Sequence, residues 1–381
     1  MTENTHKIEN KINVFINNHP EWGGTYQYTQ LIIKAVQNKF KHSNIKFFYT
    51  NKIWNKELKK NQIFINYNFF QLIISQILIF LNFLNLPKLF LNFFLPSFPK
   101  SFFDKDNIWI FPSQDIVSTL CRGKTIVSIN DLMHRYSNFT ETSSFFRKFY
   151  RDYKFKKIAE KSYRVLVDSK VGKKHVEDSY GKFKNLRVQY FAALKEVINE
   201  NEKFKDLGKY LIYPAQYWEH KNHYKLILAI KILKNKYKDI KLVLIGHKKK
   251  NFKKIQSFVE ELDLKENVIF LGFISDQEKA YLISNARALI NPSFLGPTNI
   301  PQLEAFNYRC PVILSNVFAS KEQCLDNVIY FDPSFEDSIA KSIEKIWSID
   351  EIFYLYKKKS EAISKKYSFE NFTDNLIKNI S

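Results

Sequence analysis

The segment from Ala288 to Asn316 reads ALINPSFLGPTNIPQLEAFNYRCPVILSN and decides the fold class. An apolar run leads into a loop with Gly296, Pro297 and Pro301, a helical pattern carrying Glu304 follows, and a second apolar run ends the segment. This order predicts one strand, loop, helix and strand unit of a parallel sheet. Free backbone N–H groups and the helix dipole at such a loop suit a diphosphate, and the carboxylate can accept hydrogen bonds from ribose hydroxyls. An ordinary strand-to-helix connection is the alternative interpretation.

The same alternation of apolar runs and helical patterns extends on both sides of this segment. After residue 209 the predicted strands are Tyr210–Tyr213, Leu242–Ile245, Val268–Leu271, Ala288–Asn291, Val312–Leu314 and Val328–Phe331. In the first half the predicted strands are Ile12–Ile16, Lys124–Ile129 and Arg164–Val167, each followed by a polar loop. Continuous apolar strands between helices are typical of α/β proteins with doubly wound parallel sheets, which bind ligands at the carboxyl ends of their strands.

The length of the chain, 381 residues, predicts two domains that face a cleft. A charged segment over residues 195–209 separates the two sets of strands, so we expect one domain over residues 1–200 and a second over 201–365. The remaining residues, 366–381, predict a closing helix that returns to the first domain. Each domain is expected to be Rossmann-like.

The composition indicates the cellular compartment and the class of binding partner. The net charge of +21 favours polyanions or anionic lipid surfaces, although a bias towards lysine and asparagine codons explains it about as well. The three cysteines have no metal-ligand spacing and are too few for a disulfide framework, which favours the cytoplasm. Residues 1–12 lack the apolar run of a secretory signal, so no export is expected.

An apolar segment in the first half raises the question of membrane contact. Residues 61–87 contain no charged side chain, and residues 69–98 predict an amphipathic segment. Its polar residues fall mainly on one helical stripe, which favours interfacial contact over a membrane span, while a place in the domain core stays open.

A second feature is a regular series of cations. Arg147, Arg151, Lys154, Lys157, Lys161 and Arg164 recur at helical spacing, which predicts one basic helix face. Such a face is either solvated or docks on anionic headgroups or on a diphosphate-lipid acceptor.

The segment quoted first resembles the donor-binding motif of family 4 of the GT-B glycosyltransferases, PSxxEGFGLPxLEA. The matching residues are Pro292, Ser293, Pro301, Leu303, Glu304 and Ala305. Gly296 replaces the first glutamate of the motif, and Pro297, Thr298 and Asn299 replace its Gly-Phe-Gly. A GPTN loop of this kind resembles a subgroup associated with bacterial surface polysaccharides. The resemblance implies that Glu304 binds the ribose and that the backbone of residues 296–300, up to Ile300, binds the diphosphate.

A second motif follows the strand predicted at Tyr210–Tyr213. Lys221 matches the lysine that neutralises the leaving diphosphate in the family, whereas Gln216 occupies the position of its partner arginine. The resemblance implies that His220 or His247 compensates for the missing cation. Gly246 ends the next strand and resembles a turn along which the nucleotide passes in the family.

The first half carries weaker elements of the same resemblance. Gly23 and Gly24 precede a helical pattern and resemble the family's glycine turn at the donor, although a plain tight turn explains them as well. Asn130 and Asp131 occupy the positions of a His-Asp pair near the reacting sugar. His134 and Arg135 follow closely and are expected on the acceptor side.

Together these features predict a retaining glycosyltransferase with a GT-B fold. It is expected to use a UDP- or GDP-linked sugar, a glycan or polyprenyl-linked acceptor and no metal or other cofactor, with Lys221, Asn130 and Asp131 as the catalytic residues. The expected location is the cytoplasmic face of the inner membrane, bound peripherally to its anionic surface. Two alternatives remain: a GT-B scaffold without catalysis in a membrane assembly, and a basic nucleic-acid-binding protein, against which the absence of a recognisable reading module argues.

Overall fold

The computed structural model describes residues 11–19, 22–58, 60–66, 77, 98–137, 139, 145–296 and 298–380. Its contacts divide the chain into two compact units. The first unit comprises residues 1–132, 145–190 and 370–381, and the second comprises residues 133–144 and 191–369. The boundary expected from the sequence differs, because it follows residue 200 and leaves residues 133–144 in the first domain.

Each unit is built on a parallel sheet. In the described part of the first unit, seven strands lie in the order β3-β2-β1-β4-β5-β6-β7. They are β1 (Ile12–Ile16), β2 (Ile45–Tyr49), β3 (Gln62–Phe64), β4 (Ile108–Phe111), β5 (Lys124–Ile129), β6 (Arg164–Val167) and β7 (Leu186–Val188). In the described part of the second unit, six strands lie in the order β10-β9-β8-β11-β12-β13. They are β8 (Leu211–Pro214), β9 (Leu242–Ile245), β10 (Val268–Gly272), β11 (Ala288–Asn291), β12 (Val312–Ser315) and β13 (Ile329–Phe331).

Helices connect these strands. The first unit contains α1 (Gly24–Lys39), α3 (Phe145–Lys161), α4 (Lys170–Tyr180) and most of α12 (Phe369–Ile380), whereas α2 (Met133–Tyr136) belongs to the second unit. The remaining helices of the second unit are α5 (His223–Lys234), α6 (Phe252–Glu261), α7 (Asp276–Asn285), α8 (Pro301–Asn307), α9 (Ser320–Cys324), α10 (Glu336–Ser348) and α11 (Asp350–Ser364). Short 3-10 turns cover His42–Asn44, Lys52–Lys56, Lys100–Phe103, Ile116–Leu120, Glu202–Leu207 and Glu219–Lys221.

The order of the strands creates one switch point in each sheet. The chain winds outward in one direction from β1 and in the other from β4, and it does the same from β8 and from β11. At such a point the loops at the carboxyl ends of two adjacent strands diverge and leave a crevice, where sheets of this class bind ligands. The fold therefore marks one candidate site in each unit.

Separate hydrophobic cores support the two sheets. The first is rich in aromatic side chains, such as Phe48, whose ring centroid lies 4.8 Å from that of Trp109. The second consists mainly of aliphatic side chains from its strands and from α5 and α10. The final helix α12 packs in the first unit, where Gln189 donates a hydrogen bond to the Phe372 carbonyl (3.1 Å) and Asn379 donates one to the Gln189 side chain (3.1 Å).

Two expectations from sequence concern a membrane. Apart from Ile77 and Phe98, the amphipathic segment predicted at 69–98 lies outside the described residues. The prediction of a basic helix face is only partly correct, because Arg164 lies on strand β6 and Lys154 is largely withdrawn from solvent. Among the helices that the structure describes, none has the length and apolar character needed to cross a membrane.

Candidate active site

The switch point of the second sheet lies between β8 and β11, and most of the residues predicted to bind the donor follow these two strands. Gln216, His220 and Lys221 come after β8, while Gly296, Thr298, Asn299 and Ile300 come after β11. Glu304 lies on α8, which follows the second loop. Pro297 lies outside the described residues. The structure thus brings together the predicted donor residues of the second half on neighbouring strands.

Hydrogen bonds hold the loops after β8 and β11 together. The Phe294 amide donates to the His220 carbonyl (2.9 Å), and the Asn222 side-chain amide donates to the Pro292 carbonyl (3.1 Å) and the Pro333 carbonyl (2.8 Å). The Ser315 hydroxyl, at the end of β12, lies 2.7 Å from the Ser293 carbonyl oxygen and 3.0 Å from the Asn291 carbonyl oxygen, and it can donate to either. Because buried backbone groups need partners, this network fixes the shape of the crevice before any ligand binds.

Gly296 has a backbone conformation that explains the loss of the family's glutamate at this position. Its φ is +108°, a value that residues with a Cβ atom rarely adopt. A Cβ atom here would lie 2.9 Å from Asn299 Oδ1 and 3.1 Å from the Thr298 carbonyl oxygen. The Gly296 amide points to the Met133 sulfur at 3.4 Å, and Thr298 is buried. The positive φ and these close contacts therefore favour glycine at this position.

The prediction that His220 compensates for the missing arginine is wrong. Burial, reinforced by the charge of Lys221 and by His223, lowers the pKa of His220 from 6.5 to about 3, so this imidazole is neutral at physiological pH. The Trp218 indole N–H donates a hydrogen bond to the side-chain oxygen of Gln216 (2.8 Å), which holds that side chain in place. Lys221 is half-buried in the 3-10 turn and is thus the cation that this loop supplies.

The next two strands, β9 and β10, end in a close backbone contact. The Gly246 amide donates to the Gly272 carbonyl (2.9 Å), and a Cβ atom on Gly246 would lie 2.3 Å from the Ala215 carbonyl oxygen. Directly after these glycines, the rings of His247 and Phe273 stack with centroids 4.2 Å apart. The Phe273 ring is largely exposed, so the stack offers a flat aromatic surface at the carboxyl edge of the sheet.

Glu304 has a partner that the sequence did not indicate. Lys279, on α7, lies 2.8 Å from the Glu304 carboxylate and 3.0 Å from Asp276. Burial alone would lower the pKa of Lys279, but the two carboxylates outweigh it and raise this pKa above its ordinary value. Glu304 is itself buried, so its carboxylate has a fixed position beside the loop.

Residues 133–137 and Phe139 lie beside the same loop. Besides the Met133 contact with Gly296, the Phe139 ring lies 5.6 Å from that of Phe294 and 6.4 Å from that of His220. His134 is buried on α2 and Arg135 is exposed, and both belong to the second unit rather than to the predicted acceptor domain. The predicted catalytic residues Asn130 and Asp131 instead follow β5 in the first unit.

The switch point of the first sheet holds a cavity of about 260 Å³. Its lining comprises Asn17, Trp22, Thr25, Ser113, Gln114, Asp115, Ile116, Val117, Tyr150 and Lys154. Asn17 donates to the Asp115 carboxylate (2.9 Å), whose other oxygen accepts the Val117 amide (3.0 Å). Gly23 caps α1 with a φ of +58°, so the predicted glycine turn of Gly23 and Gly24 opens the helix beside this cavity.

Charges of both signs meet in this cavity. Lys154 is largely desolvated, which lowers its pKa, while the carboxylates of Asp115 and Asp131 act in the opposite direction. The predicted residue Asp131 is therefore coupled electrostatically to Lys154, and so is Asp115; sequence reasoning assigned neither Lys154 nor Asp115 to the site. No group of His, Cys, Asp and Glu side chains suited to a metal ion occurs among the residues with described positions.

Comparison with known proteins connects this geometry to a family. Residues 195–366 match the family described as Glycosyl transferases group 1. These residues make up most of the second unit. The chain is 27% identical over 229 residues to the O-antigen chain mannosyltransferase RfbU of Salmonella typhimurium, covering 60% of this chain and 62% of RfbU. It is 32% identical over 108 residues to O-antigen chain mannosyltransferase B of Escherichia coli, covering 28% of each. The aligned regions span less than two thirds of these relatives.

Solved glycosyltransferase structures share the fold of both units. HepE of Anabaena, determined in complex with UDP and glucose, superposes with a TM-score of 0.72 at 12% identity and covers 97% of this chain and 99% of its own. The lipopolysaccharide outer core galactosyltransferase WaaB superposes with a TM-score of 0.62 at 17% identity over 97% and 99% of the two chains. The chain therefore has the GT-B fold, and the residues that match the glycosyl transferases group 1 family lie in its second Rossmann-like unit.

Several residues of the site escaped the sequence analysis. Asn222, Ser315 and Lys279 act through contacts with residues far along the chain, and no local pattern marks them. One signal was available for Asn222, because asparagine directly before a helix is typical of a left-handed residue or a cap.

Proposed function

We propose that the chain is a retaining glycosyltransferase that moves a hexosyl group from a nucleotide diphosphate to a glycan or lipid-linked acceptor during assembly of a bacterial surface polysaccharide. The observation that carries the proposal is the convergence of Lys221, the Gly296 loop and Glu304 at the switch point of a glycosyl transferases group 1 domain. The names of the relatives make mannose the first sugar to test.

Each part of the second unit has a role in binding the donor. The Lys221 ammonium neutralises the departing diphosphate, and the backbone of residues 296–300 contributes N–H groups to the same oxygens. The Glu304 carboxylate, held by Lys279, accepts hydrogen bonds from the ribose hydroxyls. The nucleobase lies along the turns at Gly246 and Gly272, next to the His247–Phe273 stack.

In the proposed reaction the bond between the anomeric carbon and the leaving phosphate oxygen breaks. The acceptor oxygen forms its new bond on the same face of the sugar, and its proton passes to the departing phosphate. The configuration is retained without a covalent enzyme intermediate. Charge builds up on the leaving diphosphate, so a fixed ammonium group stabilises the transition state more than the bound donor.

The acceptor binds at the switch point of the first unit. The cavity lined by Asp115, Tyr150 and Lys154 combines a carboxylate, a hydroxyl and an ammonium group, which suit the hydroxyls of a sugar. We place Asp131 at the edge of this site, and the chain at the cytoplasmic face of the inner membrane, where a nucleotide sugar and a lipid-linked acceptor can meet.

A donor panel tests the nucleotide and the sugar. The full chain is heated with UDP, GDP and their linked hexoses, and the shift of the unfolding temperature is measured, because a ligand that binds only the folded state stabilises it. Hydrolysis of the responding donor is then followed by release of the nucleotide. We expect one nucleotide to dominate. A panel without any shift would contradict the proposal.

Variants separate catalysis from binding. Lys221→Ala is expected to lower turnover by about a hundredfold, the order found for loss of one charge-stabilising group. Glu304→Ala is expected mainly to raise the donor KM. Lys254→Ala, on the exposed face of α6, is the matched control. NMR of the early product reports the anomeric configuration, and an inverted product would refute retention. Donor binding without turnover across acceptors would instead favour a scaffold without catalysis.

A further inference from the structure

The beginning of α3 exposes an unusual group of aromatic side chains. Phe145 is 76% exposed, Phe146 82%, Phe149 69% and Tyr150 41%. The rings of Phe145 and Phe146 contact each other edge to face, with centroids 5.9 Å apart. Single exposed aromatics are common on protein surfaces, but four within two helical turns form an apolar patch that marks an interaction site. We call these four residues the aromatic surface.

The packing of α3 explains why these side chains are exposed. Its buried residues are Phe155, Ile158 and Ala159, all in the later turns. At 100° per residue, Phe146 and Phe149 point away from that buried face. The helix therefore packs on the first unit mainly through its later turns, and Phe145, Phe146 and Phe149 in its first turns stay exposed.

Basic residues surround the aromatic surface. Helix α3 contains seven basic and two acidic residues, and Arg147, Lys156 and Lys161 are exposed. One acidic residue, Glu160, is already paired with Lys157 at 2.9 Å. The other, Asp152, accepts a hydrogen bond from the Tyr180 hydroxyl (2.8 Å). Because the basic residues outnumber the acidic ones, the helix carries a net positive charge that suits an anionic partner.

We propose that the aromatic surface docks on a bilayer that contains anionic phospholipids. Exposed aromatic rings insert at the level of the headgroups, and nearby lysine and arginine side chains bind lipid phosphates. A second copy of the chain is a poorer partner, because its own cations would face those of the first. The proposal does not rest on the proposed enzymatic activity.

The test measures binding of the full chain to vesicles. Sedimentation with phosphatidylcholine vesicles is compared with sedimentation with vesicles that also contain phosphatidylglycerol. Binding is expected only with phosphatidylglycerol and should weaken as salt increases. Phe146→Ser combined with Phe149→Ser should weaken partitioning by about tenfold for each ring removed.

A matched control uses exposed apolar residues on another helix. Tyr354→Ser combined with Leu355→Ser changes two such side chains on α11 and should leave vesicle binding unchanged. Circular dichroism and the unfolding temperature establish that both double variants fold. The shift of the unfolding temperature on nucleotide addition is recorded on the same samples. Vesicle binding without a nucleotide shift would contradict only the proposed function.

Three outcomes would overturn the docking proposal. The wild-type chain could fail to bind either vesicle, or the two double variants could lose binding equally. Light scattering could also show a wild-type dimer that the Phe146 and Phe149 variant converts to a monomer. That result would assign the aromatic surface to an interface between copies.

Discussion

At the scale of single residues, Gly296 determines how this chain departs from its family's motif. A positive φ and a nearby Asn299 side chain disfavour the glutamate that the resembled motif has at this position. In the proposed function, the donor loop therefore binds the diphosphate through its backbone at this position. A changed sugar pocket is the expected consequence.

Gly296→Ala is expected to raise the donor KM by about tenfold, because the strained loop must shift at a cost of about 1–2 kcal/mol. Gly181→Ala is the matched control, since Gly181 also has a positive φ of +105° but a Cβ atom there would meet no other atom within 4 Å. Urea unfolding of both variants measures the cost of the backbone strain. Steady-state kinetics measures the effect of the loop movement on the donor KM. Equal effects on KM would contradict the prediction.

Lys279 is expected to position Glu304 for the ribose. Lys279→Met leaves a buried carboxylate without its cation and should raise the donor KM by about tenfold, with a smaller change in kcat. Lys279→Arg should restore much of the affinity. A variant that loses stability but keeps the wild-type KM would show that the pair is only structural.

His223 makes the stability of the second unit depend on pH. Burial, with a further effect of Lys221, lowers its pKa from 6.5 to about 3, and its ring lies between those of Tyr213 and Tyr217. The unfolded chain binds a proton below pH 6.5 that the folded chain does not bind. The free energy of unfolding should therefore fall as the pH drops from 6.5 towards 3, by about 1.4 kcal/mol per pH unit for this residue.

His223→Phe tests this by preserving the stacking and removing the titration. Urea unfolding across that pH range should show a slope smaller by about one proton than in the wild type. His220 also has a lowered pKa, so part of the acid sensitivity should remain. An unchanged slope would refute the assignment to His223.

At the scale of elements, the site depends on loops that distant residues hold together. Asn222 adopts a left-handed conformation (φ +58°) and joins the ends of β8, β11 and β13 through its side chain. The sequence of α5 predicts that a helix begins after Asn222, but it does not indicate that the Asn222 side chain joins other loops. The geometry of the crevice is therefore a property of three loops at once.

Asn222→Gly and Asn222→Ala separate the two roles of this residue. Glycine keeps the left-handed backbone but loses both hydrogen bonds, whereas alanine also acquires backbone strain of about 1 kcal/mol. Both should destabilise the chain by about 2 kcal/mol or more, with alanine the worse. Unfolding in urea gives the order, and a glycine variant as stable as the wild type would contradict the role of the side chain.

At the scale of the whole molecule, each of the two units has its own core. Each unit is also assembled from stretches that are separate in the sequence. Helix α12 contributes Phe372, Leu376 and Ile380 to the first unit, although it follows the second unit in sequence. Stability of the first unit therefore depends on residues near the end of the sequence, whereas the proposed nucleotide site lies in the second unit.

Leu376→Ala should destabilise the first unit by about 2–5 kcal/mol, because it leaves a cavity at a fully buried position. Leu355→Ala, at an exposed position on α11, is the control and should change stability little. Hydrogen exchange would show lost protection in β1 and α1, while the thermal shift on nucleotide binding persists. Loss of that shift would contradict the independence of the two units.

Sequence by itself determined the fold class and indicated the candidate donor residues, because apolar strands, their polar loops and the motif around Glu304 are local patterns. The strands β1, β5, β6, β9 and β11 have the predicted bounds. It missed the short strands β2, β3, β4 and β7, since apolar runs of three to five residues are ambiguous in a chain this rich in phenylalanine.

Only the tertiary structure decided which distant residues meet. The Lys279–Glu304 pair, the burial that neutralises His220, the Asn222 connection and the cavity around Asp115 and Lys154 all join separate strands or helices. The same holds for the aromatic surface of α3, because helical spacing places its rings on one side but only packing determines which side faces solvent. Burial and long-range contact depend on the whole fold, which local sequence patterns do not specify.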